Sequence, residues 1–270
     1  MSKSGQSLKE ALQSVFASSA IIIALVISYF VYKYIMGNPV NFEGGNPEGS
    51  PMPGNYLGII YKGGMIVPLL MSLIIILITF TIERLLSIGR ARGKKRLNVF
   101  VKQLQSLLSD NKIEDALNSC DVQKGSLANV MKAGLHRYRA LETDTNLNKD
   151  QKIIALQKEI EEATALELPM LSKNMVILST IASIAVLIGL LGTVLGMIRA
   201  FAALAQAGAP DALALATGIS EALINTTFGI GGSTLAIILY NFFSTKVDAM
   251  TFKIDEAGFS LTQTFASKVK

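Results

Sequence analysis

The chain has 270 residues, half of them hydrophobic and only 17% charged, with a formal charge of +5. A soluble domain of this size carries roughly a quarter charged residues, and here the deficit falls in long apolar runs separated by polar stretches, the pattern of several membrane spans. The modest positive charge is no nucleic-acid signature. One cysteine (Cys120) and one histidine (His136) exclude a disulfide framework and any metal site needing several such ligands.

Four segments are apolar enough to cross about 30 Å of hydrocarbon, which takes about 20 helical residues. The first lies in segment 1–36 and runs from about Val15 to Met36. No small-x-small cleavage site follows Tyr32–Tyr34, so it reads as a retained helix rather than a signal peptide. Residues 37–64 form a Pro/Gly-rich loop, and 65–88 the second span. In 89–174, Leu97, Val101, Leu104 and Leu108 recur at three- and four-residue steps, and Ile153, Gln157, Ile160 and Thr164 mark a long helix. That helix is expected to continue into the third span, with Pro169 as a kink. The third span covers 175–206, a short turn 207–211, and the fourth span 212–245. Residues 246–270 read as a C-terminal helix with Phe243, Val247, Met250, Ile254, Leu261 and Phe265 on one face. No strand alternation is visible. The expected fold is all-α, a polytopic membrane protein with four transmembrane helices and long helices reaching into the cytoplasm.

Lysine and arginine placement orients the spans. Arg84, Arg90, Arg92, Lys94, Lys95 and Arg96 follow the second span, and the tail carries Lys246, Lys253, Lys268 and Lys270. The 37–64 loop has Lys62 alone, and 207–211 has no basic residue. Both termini and 89–174 are therefore expected in the cytoplasm, with 37–64 and 207–211 on the opposite, periplasmic side.

The third span carries a ridge of small residues at helical spacing, including Gly189, Gly192 and Gly196, which suits close backbone approach in lipid. Thr193 differs, because its hydroxyl can face a neighbouring helix or water. In the fourth span Thr217, Glu221, Asn225 and Gly229 recur every four residues as one polar, narrow stripe, with Thr226 and Thr227 beside it. A carboxyl inside a membrane helix costs on the order of 2.5–3.5 kcal/mol, so Glu221 reads as facing water or protein, or as an interfacial residue on a protruding helix. Arg199 is explained by snorkelling to the headgroups. Glu83 and Arg84 read as an interfacial pair at the end of the second span.

Two stretches carry a family resemblance. The first is Ser179-Thr180-Ile181-Ala182-Ser183, followed by Gly189-Leu190-Leu191-Gly192-Thr193-Val194-Leu195-Gly196-Met197. The second is Gly218-Ile219-Ser220-Glu221-Ala222-Leu223-Ile224-Asn225-Thr226-Thr227-Phe228-Gly229, closing with Tyr240-Asn241-Phe242. Together they resemble the signature of the ExbB/TolQ proton-channel proteins and, more distantly, MotA. The resemblance covers about residues 150–245. It implies a homopentamer in the bacterial inner membrane, with the last two spans of each copy lining a central pore. A single-span partner resembling ExbD or TolR would occupy the pore and carry the aspartate that takes up the proton, and a TonB-like protein is a further partner. By motif position, Thr193, Glu221 and Thr226 match the family's pore-lining residues, and the wider pore set here is Thr193, Glu221, Thr226, Asn225, Thr227 and Thr217. Gly189, Gly192, Gly196 and Gly229 are the packing set. No cofactor, metal or enzymatic activity is implied.

The sequence departs from the family in three ways. Segment 15–36 is an extra helix before the three family spans, Asn225 and Thr227 make the stripe more polar, and Thr217 stands where relatives often have proline. The function expected is a motor subunit that couples the proton motive force to outer-membrane transport. A TolQ-like role in envelope integrity, a MotA-like role in motility and, in a different class, a passive membrane scaffold remain open, as does proton against sodium.

Overall fold

The computed structural model describes residues 18–205 and 211–269. The stretch 1–17 with the expected start of the first span, residues 206–210 with most of the expected turn, and Lys270 lie outside the described residues. In chain order the helices are α1 Ser18–Met36, α2 Tyr56–Tyr61, α3 Ile66–Arg92, α4 Leu97–Ser109, α5 Ile113–Gln123, α6 Ser126–Thr143, α7 Lys149–Ser172, α8 Met175–Leu204 and α9 Ala212–Lys268. Among the described residues there is no strand, only an isolated bridge between Phe42 and Pro51. Four helices, those of α1, α3, α8 and α9, are long and apolar enough to cross a membrane. The protein is an all-α, polytopic membrane protein.

The chain divides into two units, one of residues up to Thr81 with Val176–Tyr240, the other of Ile82–Met175 with Asn241–Lys270. In the first unit, α1 ends in a π-helical turn, Val31–Met36. The following loop holds two 3-10 turns, Pro39–Asn41 and Glu43–Gly45, and then α2. The start of α9 is capped by Asp211, whose carboxylate accepts from the Leu213 and Ala214 backbone N–H groups at 3.0 Å each.

The second unit is a helical bundle with one continuous apolar core. The predicted face of α4 is buried through Val101, Leu104 and Leu108, and Phe100 joins it. It meets Leu127, Met131 and Leu135 of α6 and Ile254, Leu261 and Phe265 of α9. Each such side chain contributes about 1.5–3 kcal/mol on burial. The Phe265 ring stands edge-on to Tyr138 at 4.7 Å. Gly134 lets α6 approach its neighbours, since a Cβ there would sit 2.8 Å from Leu261 and 3.0 Å from Ile160. The start of α7 is locked by a capping box between Asn148 and Gln151.

Three expectations change. The helix entering the third span is broken at Lys173–Asn174 rather than kinked at Pro169, which lies inside α7. Asn174 takes a left-handed φ of 61°, a conformation asparagine adopts more readily than most residues that carry a side chain. The expected 212–245 and 246–270 helices are one helix of 57 residues, since no proline occurs anywhere in it and its five glycines, the adjacent pair at 231 and 232 included, do not stop the backbone ladder. Glu83 and Arg84 do pair, but not as a surface ion pair: Arg84 is 1% exposed, bonded twice to Glu83 at 2.6 and 2.7 Å, and donates to the Leu171 carbonyl at the end of α7. Glu83 also accepts from Ser87 at 2.7 Å and Asn174 at 3.2 Å. A buried guanidinium demands this saturation.

Cys120 lies in the same core, and burial pushes its thiol up to about 12. The thiolate is the reactive species, so at pH 7–8 the folded protein should not react with maleimide or iodoacetamide. Labelling followed by mass spectrometry should show modification only after denaturation.

Candidate ion-handling site between two membrane helices

The packing of α8 against α9 is set by the absence of side chains. A Cβ on Gly189 would lie 2.8 Å from the Asn225 carbonyl and 2.9 Å from the Gly229 Cα. On Gly196 it would meet the Gly218 carbonyl at 2.7 Å, and on Gly229 the Ala185 carbonyl at 2.8 Å. Backbones this close leave no room for larger residues along the seam. Gly189, Gly192, Gly196 and Gly229 all sit on it, joined by Gly218, whose role sequence spacing left unmarked. Ser233 ties the seam further by donating to the Ala182 carbonyl at 2.5 Å.

Polar groups fill the seam where it opens. Thr193 and Thr226 share a hydroxyl–hydroxyl hydrogen bond. The Thr226 hydroxyl also reaches the Ala222 carbonyl at 3.1 Å, and that of Thr193 the Gly189 carbonyl at 3.2 Å. Each hydroxyl is both donor and acceptor, so the pair can exchange the direction of its hydrogen bond, the property a proton relay needs. Next to it, Asn225 is fully buried against Gly192. Its Nδ2 donates to the Gly63 carbonyl at 2.9 Å, while its Oδ1 is buried without a partner.

One turn before Asn225, the Glu221 side chain is 5% exposed. Arg199 of α8 answers its charge: Nη1 lies 2.6 Å from Oε1 and 2.7 Å from Oε2. One nitrogen spans both oxygens, instead of two nitrogens forming a fork. The Arg199 side chain is 57% exposed. Beyond the snorkelling expected of it, Arg199 is the counter-ion of the buried carboxylate. Gly64 closes the other side, since a Cβ there would run into the Glu221 carboxylate, with Cδ at 2.9 Å.

Of the six residues expected to line a path, Thr193, Glu221, Asn225 and Thr226 are brought together between α8, α9 and the Gly63–Gly64 turn. Thr217 and Thr227 are not part of this cluster. Each hydroxyl donates to its own helix, to the Leu213 and Leu223 carbonyls at 2.8 Å, and Thr227 is exposed. Sequence reasoning missed Arg199 and the two loop glycines. Arg199 carried a signal, because a cation and an anion on consecutive spans flank the same short connection.

Removing Arg199 leaves a buried carboxylate without its partner. Arg199→Ala should lower the melting temperature in detergent by the equivalent of about 1–3 kcal/mol. The double variant Arg199→Gln, Glu221→Gln should recover most of that loss, and a double-mutant cycle by thermal unfolding measures the coupling.

The model of the MotA/TolQ/ExbB proton channel family matches residues 122–256. The Tol-Pal system protein TolQ of Haemophilus influenzae is 31% identical over 203 residues, covering 73% of this chain and 87% of the relative. TolQ of Pseudomonas aeruginosa is 26% identical over 158 residues, 58% of this chain and 68% of the relative. The biopolymer transport protein ExbB of Pseudomonas putida is 25% identical over 181 residues, 67% of this chain and 54% of the relative. With its apolar helices, its small-residue seam and the polar cluster inside that seam, the chain belongs to the MotA/TolQ/ExbB proton channel family.

Proposed function

We propose that this chain is the ring-forming subunit of a proton-driven motor in the bacterial inner membrane. Five copies surround a single-span ExbD/TolR-like partner, and both termini and residues 89–174 lie in the cytoplasm. The observation that carries this reading is the polar cluster itself. A paired carboxylate, two mutually bonded hydroxyls and a buried amide sit in helices that otherwise expose apolar side chains to lipid. Such groups are costly in hydrocarbon, and packing alone would be served by alanine or serine.

No described span carries an aspartate near its middle, which supports a partner that supplies the proton carrier. The role of this chain is then to hold that carrier against hydroxyls that accept and return a proton, with Arg199 holding the Glu221 carboxyl group in place. Energy released by proton passage is delivered through the partner to a protein of the envelope, with a TonB-like protein as one recipient. The wide coverage of the TolQ relative, 87% of its length, favours a Tol-type output in envelope integrity over the import output that the motif detail suggested.

Native mass spectrometry of the complex co-expressed with a single-span partner should show five copies of this chain retaining partner helices. In proteoliposomes that complex should pass protons. Thr193→Ala and Glu221→Gln should assemble normally yet lose about tenfold to a hundredfold of the flux, the usual worth of a positioned proton-transfer group. A monomer, or full flux in both variants, would remove the motor reading in favour of a passive scaffold.

A further inference from the structure

The helix α1 and the 37–64 loop are joined to the polar cluster by an unbroken set of contacts. At the end of α1, Asn41 Nδ2 donates to the Ile35 and Met36 carbonyls at 2.8 and 2.9 Å. Asn41 Oδ1 accepts from Asn55 at 2.9 Å, and Asn55 in turn caps α2 by accepting from the Leu57 and Gly58 N–H groups. Gly58 packs on Asn41 so closely that a Cβ would lie 2.6 Å from its carbonyl. At the other end of α2, the Tyr32 hydroxyl of α1 donates to the Tyr61 carbonyl at 3.1 Å, and the two rings stack at 4.7 Å. Phe42 stands edge-on to Tyr61 at 5.4 Å. The chain leaving Tyr61 passes directly into Gly63 and Gly64, the two residues that touch Asn225 and Glu221.

We propose that α1 and the 37–64 loop form a positioning element for the ion-handling residues: Tyr32 and Asn41 hold the Gly63–Gly64 turn, Gly63 orients Asn225, and Gly64 keeps the Glu221 carboxylate on Arg199. This inference rests on the reading of Glu221 and Asn225 as ion-handling groups. Tyr32 and Asn41 are positioning residues, acting through the turn. The geometry gives the mechanism a direction. The Gly63 carbonyl engages the donor end of the Asn225 amide, so the acceptor Oδ1 is the end left available inside the cluster. An amide free to rotate would present either end. Gly64 adopts φ +75°, a left-handed conformation that glycine takes freely and residues with a Cβ rarely adopt. A side chain there would meet both the backbone penalty and the Glu221 carboxylate.

Those two penalties can be separated. Gly54 has nearly the same backbone conformation, φ +77°, but a Cβ there would meet nothing within 4 Å. The Glu221 carboxylate stretch can be isolated by infrared spectroscopy of the full-length chain as the difference from Glu221→Gln. Gly64→Ala should shift that band, Gly54→Ala should leave it in place, and Tyr32→Phe, which keeps the ring stack and removes only the hydroxyl, should shift it in the same sense as Gly64→Ala. The same variants reconstituted for flux should show a displaced pH profile for Gly64→Ala and Tyr32→Phe only. An unmoved band in Tyr32→Phe, or equal shifts in the two glycine variants, would overturn the proposal. Should Gly64→Ala fail to fold, Tyr32→Phe decides alone. Absence of proton flux in the unaltered chain reconstituted with its single-span partner would sink the channel reading, while the infrared band would still report whether the loop positions Glu221.

Discussion

The constraint on which the first unit depends is the contact between α8 and α9. Lipid tails are as apolar as leucine, so two helices in a bilayer gain nothing from hiding hydrocarbon from water. They associate through dispersion at close range and through hydrogen bonds. Gly189, Gly196, Gly218 and Gly229 bring carbonyls and Cα atoms of the two helices to the limit of contact. Once the backbones are that close, the intervening positions become a narrow, protein-lined slot. Only there can Asn225 be fully buried and two threonine hydroxyls bond to each other.

Burial of Glu221 in that slot makes a counter-ion necessary, and the manner of its pairing differs from the other buried pair in the chain. Arg84 is enclosed, its guanidinium shared between both Glu83 oxygens and a helix-end carbonyl, with Ser87 and Asn174 completing the carboxylate. Such a pair is saturated, and opening it would strand several groups in a low-dielectric interior. Arg199 meets Glu221 through a single nitrogen and keeps more than half of its side chain exposed. That arrangement holds a charge in place while leaving the cation able to exchange partners. The first pair fastens its helices, and the second holds a carboxyl group inside the α8–α9 seam.

The extra helix and the long loop look dispensable when counted against a three-span family. Their contacts say otherwise. Asparagine side chains satisfy the helix-end carbonyls of α1 and the N-terminal amides of α2, backbone groups that lie outside any helical ladder. The loop is thereby held by hydrogen bonds at both ends, and its last two glycines form a wall of the polar slot.

Much of this was legible in the sequence, because it rests on local periodicity. The four apolar spans, the buried α4 face of Val101, Leu104 and Leu108, the glycine ridge and the lone polar residues of the fourth span all follow from a 3.6-residue repeat and the cost of burying charge in hydrocarbon. The break at Asn174 was not, since Pro169, the residue type that ordinarily marks a kink, lies inside α7 while an asparagine takes the left-handed turn. Nor were the partners of Glu221 and Asn225. Sequence spacing shows that residues share a face of one helix, and it carries no information on the rotation and depth at which a second helix or a loop meets that face. Arg199, Gly63 and Gly64 became part of the site only through that choice, and the small residues of the α8–α9 seam are the physical reason it was made as it was.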